Sequence, residues 1–492
     1  MKKGLLLITA IGGTMAANAQ YEYSSFTSTG RGGATTFATD YQACGINPAN
    51  LGWASQFEDK HFTMGFSEMT YSIHSEALSK QELRDEFRNM IKGGNTSDFT
   101  HAEKVAAGRD FADKGFAFNM DAGSVGFSYA NEKLGGIALR VNDRMQWYSK
   151  FGPQASEILF EGFTASYFDS LVLANGSVIY NDSSLNYDSI MNSSNPIVLG
   201  RTNSAKLISQ IMDGSTIQMN WVREFNLSWG RKIVGVDSVL EIFAGIGVKY
   251  FQGLAMVDIT SKDGQMTSFS SMSPVFDIDY GSAAQGNPSA MTGTGMKPCG
   301  NGFGLDLGIN ILLFNKLKIG AAVTNIGSIT WDGNVYEMKD TLLFDTDNEG
   351  LNNYNIFSQL SDIAGDQGLM KWNGVASRKV ALPTTVRAGA SLQIGKKVQL
   401  GVDAILPTNE VPGSYENAII GFGGDVAPAP WVRFSAGFLT GGNYGFQVPV
   451  GVTFIGGDGR WEGGVASRDV VTFFTQNGPT LSLSIGFLRF RF

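Results

Sequence analysis

Apolar and polar residues alternate with a period of two along most of the chain. Between Phe303 and Ile311, every second residue is apolar, and the intervening positions hold glycine, aspartate or asparagine. The runs 386–394, 398–404 and 446–454 repeat this pattern. Such alternation is typical of β-strands whose two faces meet different surroundings. Each run lies in a stretch of about ten residues, the length that a tilted strand needs to cross a bilayer.

The pattern predicts fourteen strands, joined by connections of two kinds. The strands lie near residues 61–74, 114–129, 135–148, 215–229, 238–251, 302–314, 316–331, 383–394, 397–407, 417–427, 431–441, 445–455, 459–474 and 479–492. Short turns and long loops alternate, so that every long loop falls at the same end of the strands. The four longest loops are residues 75–113, 149–214, 252–301 and 332–382. Outer-membrane barrels have short periplasmic turns and long external loops, whereas a secreted β-sandwich has no reason to sort its loops in this way.

The first residues fit a secretory signal peptide. Lys2 and Lys3 precede a short apolar run, and Ala17-Asn18-Ala19 has the small residues of a cleavage site. We therefore predict a signal peptide over residues 1–19 and export to the outer membrane of a Gram-negative bacterium. No later apolar stretch is long enough for a membrane-spanning helix. The expected fold is all-β, a transmembrane antiparallel β-barrel of about 14 strands over residues 61–492, with long and partly helical external loops.

The composition agrees with a barrel and excludes other classes of protein. The 492 residues include 62 Gly and 12% aromatic residues, but only 17% charged residues, and the net charge is −8. Length alone favours two or three soluble domains, but soluble domains average about 25% charged residues. The acidic balance argues against a protein that binds nucleic acid.

Residues with catalytic or metal-binding chemistry are few. The chain holds 3 His and 2 Cys, without the spacing of a zinc protease or a serine hydrolase. Asp345, Asp347 and Glu349 open like a calcium loop, but the twelfth position is Ile356, where a bidentate glutamate is needed. We predict no catalytic, cofactor-binding or metal-binding residues, no cofactor and no enzymatic activity.

Residues 20–60 precede the first strand and are predicted to plug the lumen, because a barrel of this size has room inside. They include Gly30-Arg31-Gly32-Gly33-Ala34, Ala38-Thr39-Asp40 and Ile46-Asn47-Pro48-Ala49-Asn50-Leu51. This segment resembles the N-terminal hatch of the FadL/TodX barrels and of the PorV-type barrels of Bacteroidota. The resemblance implies that Asn47, Pro48 and Ala49 form the gate of the plug. Cys44 lies in the plug and Cys299 in a long loop; the periplasm permits a disulfide, and we leave their pairing open.

Two external loops carry apolar residues at helical spacing. The first helix is predicted over residues 75–92 and contains Phe87 and Ile91; the second lies within 351–370 and contains Phe357 and Leu360. These four side chains are candidate contacts with a hydrophobic ligand or a protein partner, and the alternative is packing within their own loops. Basic residues on the first helix, spaced by four, offer contact with lipopolysaccharide headgroups.

Two functions follow from the resemblance. The FadL/TodX likeness implies passive binding and transport of hydrophobic small molecules across the outer membrane, with lateral release through a break in the strand pattern such as Phe66–Met69. The PorV likeness implies a non-transporting accessory or shuttle barrel that binds protein partners in secretion or assembly. Expected partners are outer-membrane lipid, lipopolysaccharide and the barrel-assembly machinery, for which the C-terminal Phe492 is the insertion signal. The pattern also slips after Phe487, which predicts a bulge or an aromatic girdle.

Overall fold

The computed structural model describes residues 25–33, 35–57, 60–85, 98–236, 239–354, 371–395, 397–415, 417–442, 445–475 and 478–492. The strands are β1 (Phe62–Ser75), β2 (Gly115–Asn131), β3 (Gly135–Lys150), β4 (Ser170–Leu173), β5 (Val178–Tyr180), β6 (Ile197–Leu207), β7 (Thr216–Val236), β8 (Leu240–Lys262), β9 (Gln265–Met272), β10 (Gly300–Leu313), β11 (Leu317–Trp331), β12 (Val335–Lys339), β13 (Leu342–Thr346), β14 (Lys371–Gly374), β15 (Arg378–Ala381), β16 (Thr385–Ile394), β17 (Val398–Pro407), β18 (Ile419–Ala429), β19 (Val432–Gly441), β20 (Val450–Gly456), β21 (Trp461–Ser467) and β22 (Thr480–Arg491). The helices are α1 (Phe26–Thr29), α2 (Asn50–Phe57), α3 (His101–Phe111), α4 (Pro153–Glu161), α5 (Tyr187–Met191), α6 (Ile208–Ile211) and α7 (Ser282–Gln285).

Fourteen of the strands close into one antiparallel barrel, which confirms the predicted fold class. In order around the wall they are β1, β2, β3, β7, β8, β10, β11, β16, β17, β18, β19, β20, β21 and β22. The last strand pairs with the first, from Thr63 opposite Arg491 to His74 opposite Thr480, and thereby closes the sheet.

The two faces of the wall differ as the alternation predicts. The outer face carries large exposed apolar side chains, among them Leu139, Leu227, Ile246, Ile309, Ile319, Val402, Phe422 and Phe438. The inner face carries buried polar and charged side chains, among them Glu68, Arg140, Glu224, Lys249, Asp306, Asp403, Glu462 and Arg489. An apolar exterior and a polar interior are typical of barrels that span an outer membrane. Among the described residues, no helix combines the length and the apolar character needed to cross a membrane.

Beyond the barrel, the wall continues on one side towards the long loops. Strand β8 runs to Lys262, well past the predicted end near residue 251, and pairs with β9. Strands β12 and β14 extend the same sheet. A separate four-stranded sheet forms in the external loops, in the order β13, β6, β4 and β5. The sequence pattern missed this sheet because its strands are short and lie outside the long alternating runs.

Two predicted strands begin or end at other residues than expected. Phe446 and Val448 were predicted to lie in a strand over 445–455, but β20 begins only at Val450. The preceding Pro449 has no N–H to donate to the ladder. The strand predicted over 459–474 ends at Ser467. Asp469 Oδ1 accepts a hydrogen bond from Val471 N, and this turn leads the chain away from the sheet.

The first loop helix also begins later than predicted. Strand β1 reaches Ser75, and the described helical residues are 80–85. Ser79 and Glu82 form the reciprocal cap: Ser79 N donates to Glu82 Oε2 at 2.8 Å, and Glu82 N donates to Ser79 Oγ at 3.4 Å. This capping box fixes the start of a helix, and it was overlooked in favour of the apolar spacing.

The described external helices flank the wall. Helices α3 and α4 share an apolar core with Trp147, Met219 and Val257. These three residues lie in register on neighbouring strands, on the face opposite the luminal Gln146 and Gln218. The core therefore lies against the outer face of the extended wall rather than over the mouth of the barrel.

Candidate functional site

Residues 25–33 and 35–57 of the N-terminal segment lie inside the barrel, where glycines of the wall leave space for large side chains. A Cβ added at Gly65 would lie 1.9 Å from the Tyr41 hydroxyl oxygen, and one at Gly126 would lie 2.2 Å from the Tyr41 ring. Likewise, a Cβ added at Gly486 would lie 2.4 Å from the Phe26 ring. The luminal plug of the predicted fold is therefore present, and it fits the wall closely.

Glu68 of β1 is the meeting point of the plug and the wall. Its Oε1 accepts hydrogen bonds from Tyr41 Oη at 2.6 Å and from Gln42 Nε2 at 2.8 Å. Its Oε2 lies 3.4 Å from Arg140 Nη2 of β3. Both charged side chains are buried, at 3% and 2% exposure. A buried carboxylate is stable only when it is paired and hydrogen-bonded, and here two of its three partners belong to the plug.

A second set of ion pairs joins the plug to the last strands of the barrel. Asp40 pairs with Arg489 of β22, and Arg489 also pairs with Glu462 of β21. Arg31 Nε lies 2.8 Å from Asp425 Oδ2 of β18. Removing one member of such a pair would leave a buried charge without its partner, which is strongly destabilising. These pairs therefore fix the plug to the wall in this arrangement.

The predicted gate residues Asn47, Pro48 and Ala49 lie on the opposite wall. Asn47 Nδ2 donates to Asn310 Oδ1 of β10 at 2.7 Å, and Asn47 Oδ1 accepts from Ala49 N at 3.1 Å. Pro48 lies against Gly245, where a Cβ would be 2.3 Å from the proline carbonyl carbon. This arrangement fixes the three residues to β8 and β10, and their role as a gate stays a prediction.

Near the Asn47–Ala49 contacts, a buried charge network lies on the luminal face of three neighbouring strands, β7, β8 and β10. Lys249 Nζ lies 3.0 Å from Asp306 Oδ2 and 3.4 Å from Glu224 Oε1. It also donates to Asn325 Oδ1 at 2.5 Å. The plug approaches this network at Gly45, where an added Cβ would lie 3.5 Å from Lys249 Nζ. This part of the luminal wall thus presents charged and polar groups, an environment that disfavours an apolar molecule.

The strand pairing is irregular along one row of residues, which runs across neighbouring strands of the wall next to the plug. Ser67 has φ 52°, in the left-handed region, and the pairing of β1 skips it on both sides. Along the register, Ser67 faces Ser124 of β2 and Phe487 of β22. The register of β2 against β3 shifts at Ser124, and that of β21 against β22 shifts beside Gly463. The irregularity predicted within Phe66–Met69 is therefore confirmed as part of a row that crosses four strands.

The phase slip predicted after Phe487 has the same origin. Phe487 and Leu488 are consecutive, yet both are 46% exposed on the outer face. Strand β22 holds one extra residue here relative to β21, which is the definition of a bulge. Trp461 Nε1 donates to the Phe487 carbonyl at 2.8 Å and so binds a backbone group at the bulge.

The other predicted site residues lie in different places. Phe87, Ile91, Phe357 and Leu360 are outside the described residues. Phe492 directly follows β22 at the rim of the short turns, where its carbonyl oxygen accepts hydrogen bonds from His61 N at 2.8 Å and from Phe62 N at 2.9 Å.

Both cysteines, Cys44 and Cys299, are buried and free, in separate apolar clusters. Among the described residues, no three His, Cys, Asp or Glu side chains are grouped to hold a metal ion.

Sequence reasoning missed the residues that join the plug to the wall. Tyr41, Glu68, Arg140 and Arg489 were not singled out, although one signal was present in the pattern. Glu68, Arg140 and Arg489 occupy luminal positions of their strands, and charged residues at such positions need partners inside the barrel.

A family model described as "Family of unknown function (DUF5723)" matches residues 184–458, which is more than half of the chain. The chain belongs to this family. The match of this DUF5723 protein runs from the loop before β6 to the turn after β20. No curated protein matches the sequence.

Several solved structures are similar to the DUF5723 protein. The toluene transporter TodX of Pseudomonas putida is 10% identical, with 97% of this chain and 98% of that chain covered and a TM-score of 0.40. A FadL homologue of Pseudomonas aeruginosa is 11% identical, with 96% and 97% covered and a TM-score of 0.42. The toluene transporter TbuX of Ralstonia pickettii is 12% identical, with 96% and 99% covered and a TM-score of 0.42.

Proposed function

We propose that this protein is a non-enzymatic barrel of the Gram-negative outer membrane that binds a hydrophobic small molecule on the external side and releases it sideways through its wall. The apolar outer face supports residence in the outer membrane. The observation that carries lateral release is the row of irregular backbone at Ser67, Ser124, Gly463 and Phe487.

The row favours an opening because hydrogen bonds between strands are what close a barrel wall. Ser67 takes no part in the pairing of β1 with β2 or with β22. On the luminal side, the same row meets Phe26 and Tyr41 of the plug, which occupy the space beside Gly486 and Gly65. A small displacement of these two rings would leave a space lined by glycine and directed at the break in the wall.

A straight path through the lumen is less suitable for an apolar molecule. The network around Lys249, Glu224 and Asp306 places buried charges along the luminal wall beside the plug. Transfer of an apolar solute past such groups would separate them from their partners. The lipid outside the wall offers an apolar destination at the height of the break.

A recess at the external end of β22 is suited to the first binding step. It has a volume of about 420 Å³ and is lined by Lys80, Arg84, Asp469, Thr472 and Leu481, among others. The stems of long basic side chains present apolar surface while their charged ends stay in water. The recess opens on the strand that carries the bulge at Phe487, so that the binding place and the exit share β22.

The experiment joins β1 and β22 with a disulfide across the irregular row. Ser67 and Phe487 are opposite in register, so that their Cα atoms lie within disulfide reach. We expect a Ser67→Cys/Phe487→Cys variant to lose uptake of radiolabelled toluene by expressing cells when oxidised, and to regain it on reduction. The control is Val402→Cys/Phe422→Cys, another opposite pair, on the lipid face of β17 and β18. Unchanged uptake by the oxidised Ser67/Phe487 variant would contradict lateral release.

A second candidate function is that of an accessory barrel which binds protein partners. The observation in its favour is β5, which among the described residues pairs only with β4 and so forms an edge of the external sheet. Val178 is 58% exposed there, and Tyr180 is 86% exposed. An exposed edge strand with apolar side chains can accept a further strand from a partner.

A mild-detergent pull-down analysed for both lipids and proteins separates the two candidates. A stoichiometric protein partner that is lost in a Val178→Lys/Tyr180→Lys variant would favour the accessory role. A bound hydrophobic molecule without such a partner would favour transport.

A further inference from the structure

A cavity lies between the underside of the plug and the rim of the short turns. It has a volume of about 480 Å³. Its roof includes Arg31, Phe37 and Trp53 of the plug, and its rim includes Asn315 and Gly395, in the turns after β10 and β16. Short turns face the periplasm in outer-membrane barrels. The cavity is therefore the periplasmic vestibule of the closed barrel, on the other side of the plug from the external loops.

The charge of this vestibule is opposite to that of the chain. Its basic lining residues are Arg31, Lys316, Lys318, Lys397, Arg433, Arg489 and Arg491, and its acidic ones are Asp425 and Glu462. The whole protein has a net charge of −8. An excess of cations around one small cavity, in a protein that is acidic overall, creates a strongly positive local potential.

The two acidic residues do not neutralise the vestibule. Asp425 is held by Arg31, and Glu462 by Arg489, with Arg491 Nη1 at 3.3 Å and Arg433 Nη2 at 4.0 Å from its Oε1. These pairs fix one guanidinium group of the plug and three of the wall. Lysines at the rim add further positive charge, and like charges held so close together repel one another.

Two cations of the vestibule are fixed by aromatic rings of the plug. Lys318 Nζ lies 5.1 Å from the centroid of the Trp53 ring, and Arg31 Cζ lies 5.2 Å from that of Phe37. Rings in such positions stabilise a cation without removing its charge. The plug therefore organises the basic lining as well as closing the lumen.

We propose that the periplasmic vestibule is a binding site for a small polyanion with at least two phosphate or carboxylate groups. Guanidinium groups bind these oxyanions in a bidentate manner, and ammonium groups bind them as point charges. The excess of basic over acidic lining residues requires more than one negative charge, and the volume fits a small molecule or a lipid headgroup. The proposal concerns the periplasmic side of the barrel and does not depend on transport of a hydrophobic molecule.

The test is calorimetric titration of the purified full-length barrel in detergent with sodium pyrophosphate, at low and high salt. We expect binding that weakens with salt, because screening reduces the attraction of charges near solvent. A Lys316→Gln/Lys397→Gln variant removes two rim charges outside the ion pairs of the wall, and we expect roughly tenfold weaker binding. The matched control is Lys133→Gln, an exposed lysine in the turn after β2 on the same rim, which is expected to bind like the wild type.

Two further measurements identify the source of the anion. Stoichiometric phospholipid that co-purifies and is displaced by pyrophosphate would assign the site to a lipid headgroup. If the purified protein carries no phospholipid and still binds pyrophosphate, the site is assigned to a soluble polyanion. The proposal is overturned if pyrophosphate does not bind, or if the Lys133→Gln variant weakens binding as much as the double variant.

Discussion

Tyr41 of the plug donates a hydrogen bond of 2.6 Å to Glu68 of the first barrel strand. The tyrosine ring fills the space left by Gly65 and Gly126, so that shape and hydrogen bonding act at the same point. Because Glu68 also lies beside Arg140, the bond completes the pairing of a buried carboxylate. The contact is thus suited to hold the plug in one position.

Replacing Tyr41 with Phe should loosen the plug without changing its shape. A hydrogen bond to a charged group contributes about 1.5–3 kcal/mol, so we expect local exchange of the backbone amides of residues 35–50 to be roughly ten to a hundred times faster. Hydrogen exchange measured by mass spectrometry checks this. The control is Tyr129→Phe, a tyrosine on the outer face, and equal protection in both variants would contradict the role of Tyr41.

Gly126→Ala should displace the plug, because the new Cβ would lie 2.2 Å from the Tyr41 ring. We expect less assembled barrel, greater protease sensitivity of the N-terminal segment and a higher leak of small ions across planar bilayers. The second change Tyr41→Ala should remove the clash and restore barrel assembly. Gly286→Ala is the control, since a Cβ at that position has no neighbour within 4 Å. If Tyr41→Ala does not improve assembly of the Gly126→Ala barrel, the explanation by steric fit is wrong.

Glu161, at the end of α4, should make the external region less stable as the pH rises. Burial, and next the charge of Glu157, raise the pKa of Glu161 to about 7 from an ordinary value of 4.5. The folded state therefore binds a proton more tightly than the unfolded state. The resulting stabilisation is complete below pH 4.5 and is lost as the pH rises through about 7.

Hydrogen exchange of residues 153–165 across this pH range measures the effect. We expect protection to fall towards high pH in the wild type and to stay constant in Glu161→Gln. Glu132→Gln, an exposed carboxylate in the turn after β2, should leave the pH dependence unchanged. The same pH dependence in the Glu161→Gln variant would show that another group is responsible.

Phe492→Ala should lower the amount of assembled barrel severalfold. The ring of Phe492 stacks on Phe62 of the first strand at a centroid distance of 6.4 Å, and its loss weakens the junction of the two ends of the wall. The heat-modifiable mobility of the barrel on gels measures assembly. Phe474→Ala is the control, because that aromatic ring is 88% exposed in an external turn. Equal assembly of both variants would contradict a role of Phe492 in insertion.

The barrel itself could be predicted from the sequence because alternation is a local signal. Runs such as 303–311 indicate which residues face outwards and which face the lumen, and the loop lengths indicate which end of the barrel is external. The predicted boundaries of strands and helices are wrong where the local effect of one or two residues is stronger than the periodic pattern. Pro449 delays β20, and the capping pair Ser79 and Glu82 moves the start of the first loop helix.

The contacts of the plug could not be predicted in this way. Tyr41 and Glu68 are 27 residues apart in the chain, and Asp40 and Arg489 are 449 residues apart. No periodic pattern relates such positions, because their proximity depends on closure of the whole barrel. Likewise, the basic vestibule combines residues of the plug with residues of seven strands and turns, and none of these residues stands out in its own segment.

The partners of Asp40 and Tyr41 carry information about the order of biogenesis. These adjacent residues reach the last strand through Arg489 and the first strand through Glu68. The N-terminal segment is synthesised first, but half of its anchoring site exists only after the final residues have joined the sheet. The plug therefore makes its full set of contacts only when the seam between the first and last strands is complete.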